Sequence, residues 1–328
     1  MALTIGLAYD HKEEYLAAGF SAAAVMEFDD ESTIAGLESA LVGLGYKVER
    51  VGRGVELARR LVDGERWGLL FNFAEGVCGR SREAQVPALA ELFDQPYTFA
   101  DPLTCALTLD KAMAKRVVRD CGLPTAPFVV LDSVDQVSAV DLEPPLFAKP
   151  LAEGSSKGVT ASSYVATRGA LTGACAELLE KFAQPVLVER YLPGRELTVG
   201  IVGNGPEPRI VGVMEVSITG GDDVRAYTAL NKKEWVERVG YRLLAGETLV
   251  DDAATVARAA YLALGCRDGA RIDLRCDEHG TPCFLEANPL PGLNHVTSDL
   301  PIVARLAGHS FGELVGWIVD AARQRYGL

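Results

Sequence analysis

Over the first hundred residues, short apolar runs alternate with segments whose apolar positions recur at helical spacing. Leu3–Ala8, Tyr46–Val51 and Leu69–Phe73 read as strands, and Ile34–Leu44, Val55–Val62 and Glu83–Phe93 as helices, with Pro96-Tyr97-Thr98 extended. This alternation predicts a parallel sheet covered by helices. Tyr9–Asp30 breaks the rhythm. It is a long segment beyond the carboxyl end of the first strand, where doubly wound sheets bind ligands. Further along, Asp110–Cys121 reads as a helix closed by Gly122-Leu123-Pro124. Phe128–Leu131, Phe147–Lys149, Val186–Glu189, Leu197–Val202 and Ile210–Val216 follow as strands, and Arg168–Phe182, Asp252–Leu264, Pro301–Ala307 and Phe311–Tyr326 as helices. Asp222–Glu234 is charged and irregular, the pattern of a mobile loop.

The most telling pattern is Arg271–Gly292. Ile272, Leu274 and Cys276 alternate with Arg271, Asp273 and Arg275, and a second strand runs to Glu286 and Asn288. With His279-Gly280 as a two-residue turn, Asp273 lies opposite Glu286 and Arg271 opposite Asn288. Opposed residues sit roughly 5 Å apart at Cβ. Two carboxylates and an amide oxygen on one face suit Mg²⁺, which takes one or two carboxylates together with substrate phosphates. A hairpin with a merely solvated polar face is the plainer reading. The rigid Pro289-Leu290-Pro291-Gly292 turn and the phosphate-binding chemistry elsewhere in the chain weigh against it.

Composition narrows the class. The chain has 328 residues, 48% hydrophobic and 23% charged, room for two or three domains. Its net charge of −13 argues against nucleic acid as a partner, although a nucleotide needs only a local cationic pocket. Seven cysteines without a C-x-x-C pair, and four scattered histidines, give no disulfide framework or zinc site. Met1-Ala-Leu-Thr runs straight into a strand, so neither a signal peptide nor a membrane span is expected and the location expected is cytoplasmic.

Two further segments carry chemistry. Lys149-Pro-Leu-Ala-Glu-Gly-Ser-Ser-Lys-Gly158 puts a lysine at a strand end, followed by a loop of small residues whose amides and hydroxyls, including Ser155 and Ser156, suit phosphate oxygens. By itself such a loop is as well read as an ordinary strand connection. In Val186–Glu196 a strand ends at Glu189 and a short linker leads to Glu196, which suits an adenine edge and ribose hydroxyls, or else a plain domain linker.

These motifs, with Lys111 in Asp-Lys-Ala-Met-Ala-Lys, occur in the order found in ATP-grasp enzymes, and the chain most resembles D-alanine–D-alanine ligases from about Phe71 to Gly308. The resemblance implies an α/β (α+β) ATP-grasp fold: an N-terminal Rossmann-like parallel α/β domain (1–105), a central α+β domain (106–192) and a C-terminal α+β domain with the metal site (193–328). It implies ATP with two Mg²⁺, Mn²⁺ being the alternative ion. Lys111, Lys149, Ser155 and Ser156 would meet the phosphates, and Lys232 or Lys233 on the mobile loop the γ-phosphate. Glu189 and the backbone of Tyr191 and Leu192 would hold adenine, and Glu196 the ribose. Asp273, Glu286 and Asn288 would bind the metals. Arg271 would stabilise a tetrahedral oxyanion, and Ser155 and Ser298 would place substrates. The implied reaction joins an amino-acid or peptide carboxylate to an amine through an acyl phosphate, releasing ADP and phosphate, with a homodimer as the assembly. A small-molecule kinase and a non-catalytic nucleotide-binding regulator are the alternatives.

The chain departs from that family on the amino-acid side. Glu75 stands in place of a histidine, Asp299 follows Ser298 where an apolar residue is usual, Lys232 and Lys233 adjoin where a tyrosine commonly follows the lysine, and the first loop offers Glu27, Asp29 and Asp30. D-alanine is therefore expected to be a secondary substrate, and the preferred one to carry a cationic or hydrogen-bond-donating group facing Glu75 and Asp299. Asp299 is equally suited to a helix start.

Overall fold

The computed structural model describes residues 3–154, 156–218 and 239–328. Strands β1 (Thr4–Ala8), β2 (Lys47–Gly52) and β3 (Leu69–Asn72) form a parallel sheet in the order β2-β1-β3, and Leu70 bridges in parallel to Tyr97. Helices α1 (Lys12–Ala17), α2 (Glu31–Gly43), α3 (Gly54–Val62) and α4 (Gln85–Leu92) belong to this layer. Asp30 caps α2 by accepting from the Thr33 amide. The long first loop is not loose. Buried Asp10 accepts from the Tyr15 hydroxyl at 2.6 Å and from the Gly76 amide at 2.7 Å, so one carboxylate ties the 9–30 segment to the loop after β3.

Helix α5 (Pro102–Leu109) had no counterpart in the sequence pattern. Its buried positions are Thr104, Cys105 and Thr108 as well as Leu109, while Leu103 points into solvent, so apolarity and burial are out of phase. Asp101 caps it, and Asp110 caps the adjoining α6 (Lys111–Asp120) by accepting from the Met113 amide.

A four-stranded antiparallel sheet runs β4-β7-β5-β6, with β4 Phe128–Leu131, β5 Leu146–Pro150, β6 Tyr164–Val165 and β7 Val186–Arg190. Helix α7 (Arg168–Phe182) seals one face with Leu171, Cys175 and Leu178. A five-stranded antiparallel sheet runs β10-β9-β8-β11-β12, with β8 Glu196–Val202, β9 Arg209–Ile218, β10 Val239–Leu243, β11 Gly269–Cys276 and β12 Pro282–Asn288. Helix α8 (Thr248–Ala263) packs into one of its cores, and α9 (Asp299–Leu306) with α10 (Phe311–Tyr326) into the other. That last core is continuous with the N-terminal layer: Leu314, Val315 and Ile318 share it with Ile34, Leu37 and Leu41 of α2.

The hairpin register agrees with the sequence pattern for an unexpected reason. Arg271 pairs with Asn288 and Asp273 with Glu286, but nearer the turn Leu274 pairs with Phe284 and Cys276 with Pro282. The connection is not the two-residue turn His279-Gly280. It is a longer turn, in which the Asp277 carboxylate accepts from the His279 and Thr281 amides. That turn shifts the register by one residue, and a bulge at Leu285 shifts it back. Among the described residues, no helix is long and apolar enough to cross a membrane.

Candidate active site

Across β8, β11 and β12 three rows of opposed residues share one sheet face: Glu196 with Arg275; Thr198 with Asp273 and Glu286; Gly200 with Arg271 and Asn288. Each polar side chain in the rows has a partner. Arg275 donates to Glu196 at 3.1 Å and to the Tyr191 hydroxyl at 2.9 Å. Thr198 donates to Asp273 Oδ1 at 2.9 Å, while Arg271 and the Asn288 amide donate to Asp273 Oδ2 at 3.1 and 3.2 Å. Lys111, at the start of α6, reaches across to Glu286 at 3.2 Å and also donates to the Glu153 carbonyl.

Burial would push Glu286 up, but Lys111, Lys149 and Arg271 outweigh it and hold the carboxyl at about 2. Its neighbour Asp273 goes the other way: burial raises it against the pull of Arg271, with Glu286 adding to the rise. The site thus keeps one carboxylate firmly ionised and holds the other on a cation. Two carboxylates and an amide oxygen fit a hard cation that takes its remaining ligands from phosphate and water. Among the described residues, no group of three or more histidine, cysteine or carboxylate side chains forms a closed metal cage.

Most of the residues expected to meet a nucleotide converge on the same face. Glu189, buried at the end of β7, sits between Lys149 at 2.7 Å and Lys115 at 2.8 Å. Burial would raise its carboxyl, yet the two lysines bring it down to about 2. Lys115 escaped the sequence reading, although it lies one helical turn from Lys111 on the same face of α6. Thr198 and Arg275 also escaped it, although each is two positions from a chosen residue on its own strand. Tyr191 differs from expectation. Its amide already donates to the Pro145 carbonyl at 3.0 Å, so that donor is not open to a ligand, and its side chain instead braces Arg275. Leu192 lines the same cavity. Ser155, Lys232, Lys233 and the 222–234 loop lie outside the described residues.

Two cavities meet at this face. One, of about 110 Å³, is lined by Lys149, Ser156, Glu189, Leu192, Glu196 and Asp273 among others. The other, of about 290 Å³, is lined by Glu27, Asp29, Glu75, Glu83, Asn288 and Ser298 among others. Lys111, Glu153, Arg271, Glu286 and Asp299 line both. Ser298 faces the second cavity and accepts from the Asn294 amide at 3.1 Å.

Asp299 has a partner that the sequence did not show. It was expected to face a substrate cation or to serve only at a helix start. It does begin α9, but its carboxylate accepts from Arg271 at 2.7 Å and is buried there. The fold makes this approach possible at Gly200, where a Cβ would stand 2.8 Å from Leu300 Cδ1. Glycine there leaves room for α9 to settle onto the sheet and bring Asp299 to Arg271, which is then clamped between Asp273 and Asp299.

The family described as the D-ala D-ala ligase C-terminus matches residues 117–320, more than half of the chain. A D-alanine–D-alanine ligase of Agrobacterium fabrum is 35% identical over 289 residues, 86% of this chain and 89% of that protein. An uncharacterized protein of Sinorhizobium fredii is 35% identical over 263 residues, 79% of this chain and 76% of that protein. In fold, the chain is similar to a solved D-alanine–D-alanine ligase of Bacillus anthracis complexed with ATP, with a TM-score of 0.73 at 20% identity over 99% of both chains. The three-layer fold is that of the ATP-grasp enzymes, and the chain belongs to the D-alanine–D-alanine ligase family.

Proposed function

We propose that the protein is an ATP-dependent carboxylate–amine ligase, built on domains 1–105, 106–192 and 193–328. The observation that carries this is the meeting of the two cavities at Lys111, Arg271 and Glu286. ATP occupies the smaller cavity. Leu192 and Glu189 face adenine, Glu196 the ribose, and Lys149, Ser156 and Lys111 the phosphates. Asp273, Glu286 and Asn288 would hold Mg²⁺, which when bound would supply charge neutralisation at the transferring phosphoryl group. The substrate carboxylate lies in the larger cavity. Its oxygen attacks the γ-phosphorus as ADP leaves; the amine of the second substrate then attacks the acyl carbon, phosphate leaves, and the amine proton is lost. Arg271, fixed by Asp273 and Asp299, is positioned for the oxyanion of the tetrahedral intermediate. A kinase has no such intermediate. Positioning and charge neutralisation supply most of the rate in chemistry of this kind.

The relatives' names make D-alanine the first amino acid to try. The expected products are ADP, phosphate and an amide, and hydroxylamine is expected to trap the activated carboxylate as a hydroxamate. Asp273→Asn and Glu286→Gln are each expected to lower turnover by about a hundredfold or more, since each removes charge stabilisation at the phosphoryl group. Normal turnover in both variants, or a stable phosphoester product, contradicts the reading.

A further inference from the structure

The larger cavity contains more negative charge than a simple amino acid can answer. Of its eight carboxylates four are paired with cations: Glu286 with Lys111 at 3.2 Å, Asp299 with Arg271 at 2.7 Å, Glu153 with Lys157 at 2.8 Å and Glu27 with Arg82 at 3.1 Å, while Asp29 and Asp30 are served by hydroxyl and amide donors at the start of α2. Glu75 and Glu83 line the same wall, and neither side chain forms an ion pair or hydrogen bond with any described residue. An independent sign lies deeper. The Glu27 side chain is 5% exposed, and its Oε1 is buried against Gly154, another lining residue, with no partner. An unanswered buried acceptor of this kind is costly, so this part of the wall favours a donor.

We propose that this cavity takes an amino-acid or peptide substrate bearing a second cationic group, an ammonium or guanidinium beyond the α-amino group, received by Glu75 and Glu83 with Glu27 behind them. The identification of this ligand as a substrate rests on the ligase reading. The cavity, of about 290 Å³, admits a side chain longer than a methyl group. The α-ammonium of a neutral amino acid answers one carboxylate; a second cation answers the rest. Without it the closed site would hold unpaired buried charge, which is costly. The acids already respond to this cost. Burial, reinforced by Glu27 and Glu83, raises Glu75 well above the usual carboxylate range, and burial brings Glu83 up to about 7 against the pull of Arg82. Glu83, at about 7, is partly ionised near neutrality, and an arriving cation displaces the proton it shares.

Calorimetry of the full-length protein with ADP and Mg²⁺ tests this. The ligands are both enantiomers of ornithine, lysine and arginine, with norvaline, norleucine and citrulline as neutral counterparts. The cationic member of a pair is expected to bind about tenfold tighter or better, with proton release seen as a buffer-dependent heat. In Glu75→Gln and in Glu83→Gln, made separately, that ratio is expected to fall toward one. Equal affinities in the wild type, absence of binding by every cationic ligand, or a preference retained in both variants overturns the inference. The ligase reading is judged apart, by ADP release and hydroxamate formation. Ligation of neutral amino acids without cation preference overturns the inference and leaves that reading standing. Cation binding lost in the variants, with no hydroxamate from any amino acid, does the reverse.

Discussion

Lys111 and Lys115 lie one turn apart on α6 and serve two different carboxylates, Glu286 and Glu189. Lys115 is fully buried, which on its own would strip its proton; Glu189 opposes that loss. Breaking a buried ion cluster by removing one partner is costly because the remaining charge is stranded, here two lysines. Glu189→Gln is therefore expected to destabilise the protein by about 3 kcal/mol in chemical denaturation at neutral pH. The sign of the pH effect follows from the lowered carboxyl. Glu189 falls from 4.5 to about 2 on folding, so its contribution is complete above 4.5 and is lost as pH falls toward 2. In Glu189→Gln this part of the acid destabilisation is expected to disappear. Glu83 has the opposite sign. Its carboxyl rises from 4.5 to about 7, so it penalises the ligand-free fold above pH 7 and relents as pH falls toward 4.5. Glu83→Gln is expected to raise Tm more at pH 8 than at pH 5, as thermal melts at both values will show.

At the scale of elements, loops rather than strands carry the fine placement. The loop segment 156–158 turns back at Gly158, with φ +83°, where a Cβ would run into the Pro150 ring and stand 2.8 Å from Phe182 Cζ. Gly158 lets the loop lie against the end of β5 and the last residue of α7, and so fixes Ser156 and Lys157 in the smaller cavity. Gly45 has a similar φ of +90° with nothing within 4 Å. Gly45→Ala is expected to cost only the backbone term, about 1–2 kcal/mol, and to leave nucleotide affinity alone. Gly158→Ala is expected to cost more and to weaken ATP binding about tenfold or more. Melts and nucleotide titrations of the two variants separate strain from displacement.

At the scale of the whole molecule, the last helix joins the first layer to the five-stranded sheet. Buried Asp268, at the start of β11, accepts from the Phe99 amide and the Asn204 side chain at 2.8 Å each and from Arg325 of α10 at 2.7 Å; Arg325 also donates to the Tyr97 carbonyl at 2.8 Å. One guanidinium thus holds three parts of the chain that are far apart in sequence. Arg325→Met is expected to lower global stability by about 3 kcal/mol, because it leaves Asp268 short of its charge partner. An unchanged denaturation midpoint would refute this tie.

The sequence by itself determined the periodic elements, the pairing of Asp273 with Glu286 and of Arg271 with Asn288, and the family. Each depends on local spacing, which alternation and helical repeat record directly. It did not show α5, whose buried positions are largely threonine and cysteine, nor the turn and bulge whose shifts cancel in the hairpin. Lys115, Thr198 and Arg275 were within reach, each one period from a chosen residue, but period alone does not say which polar face is buried. Only the tertiary structure decided what Asp299 does, because its partner lies 28 residues away on another element. It alone gathered Glu27 of the first loop onto one wall with Glu75 and Glu83 of the connection between β3 and α4. Those loops are placed by long-range packing and by one buried aspartate, Asp10, and that placement leaves no periodic trace in the chain.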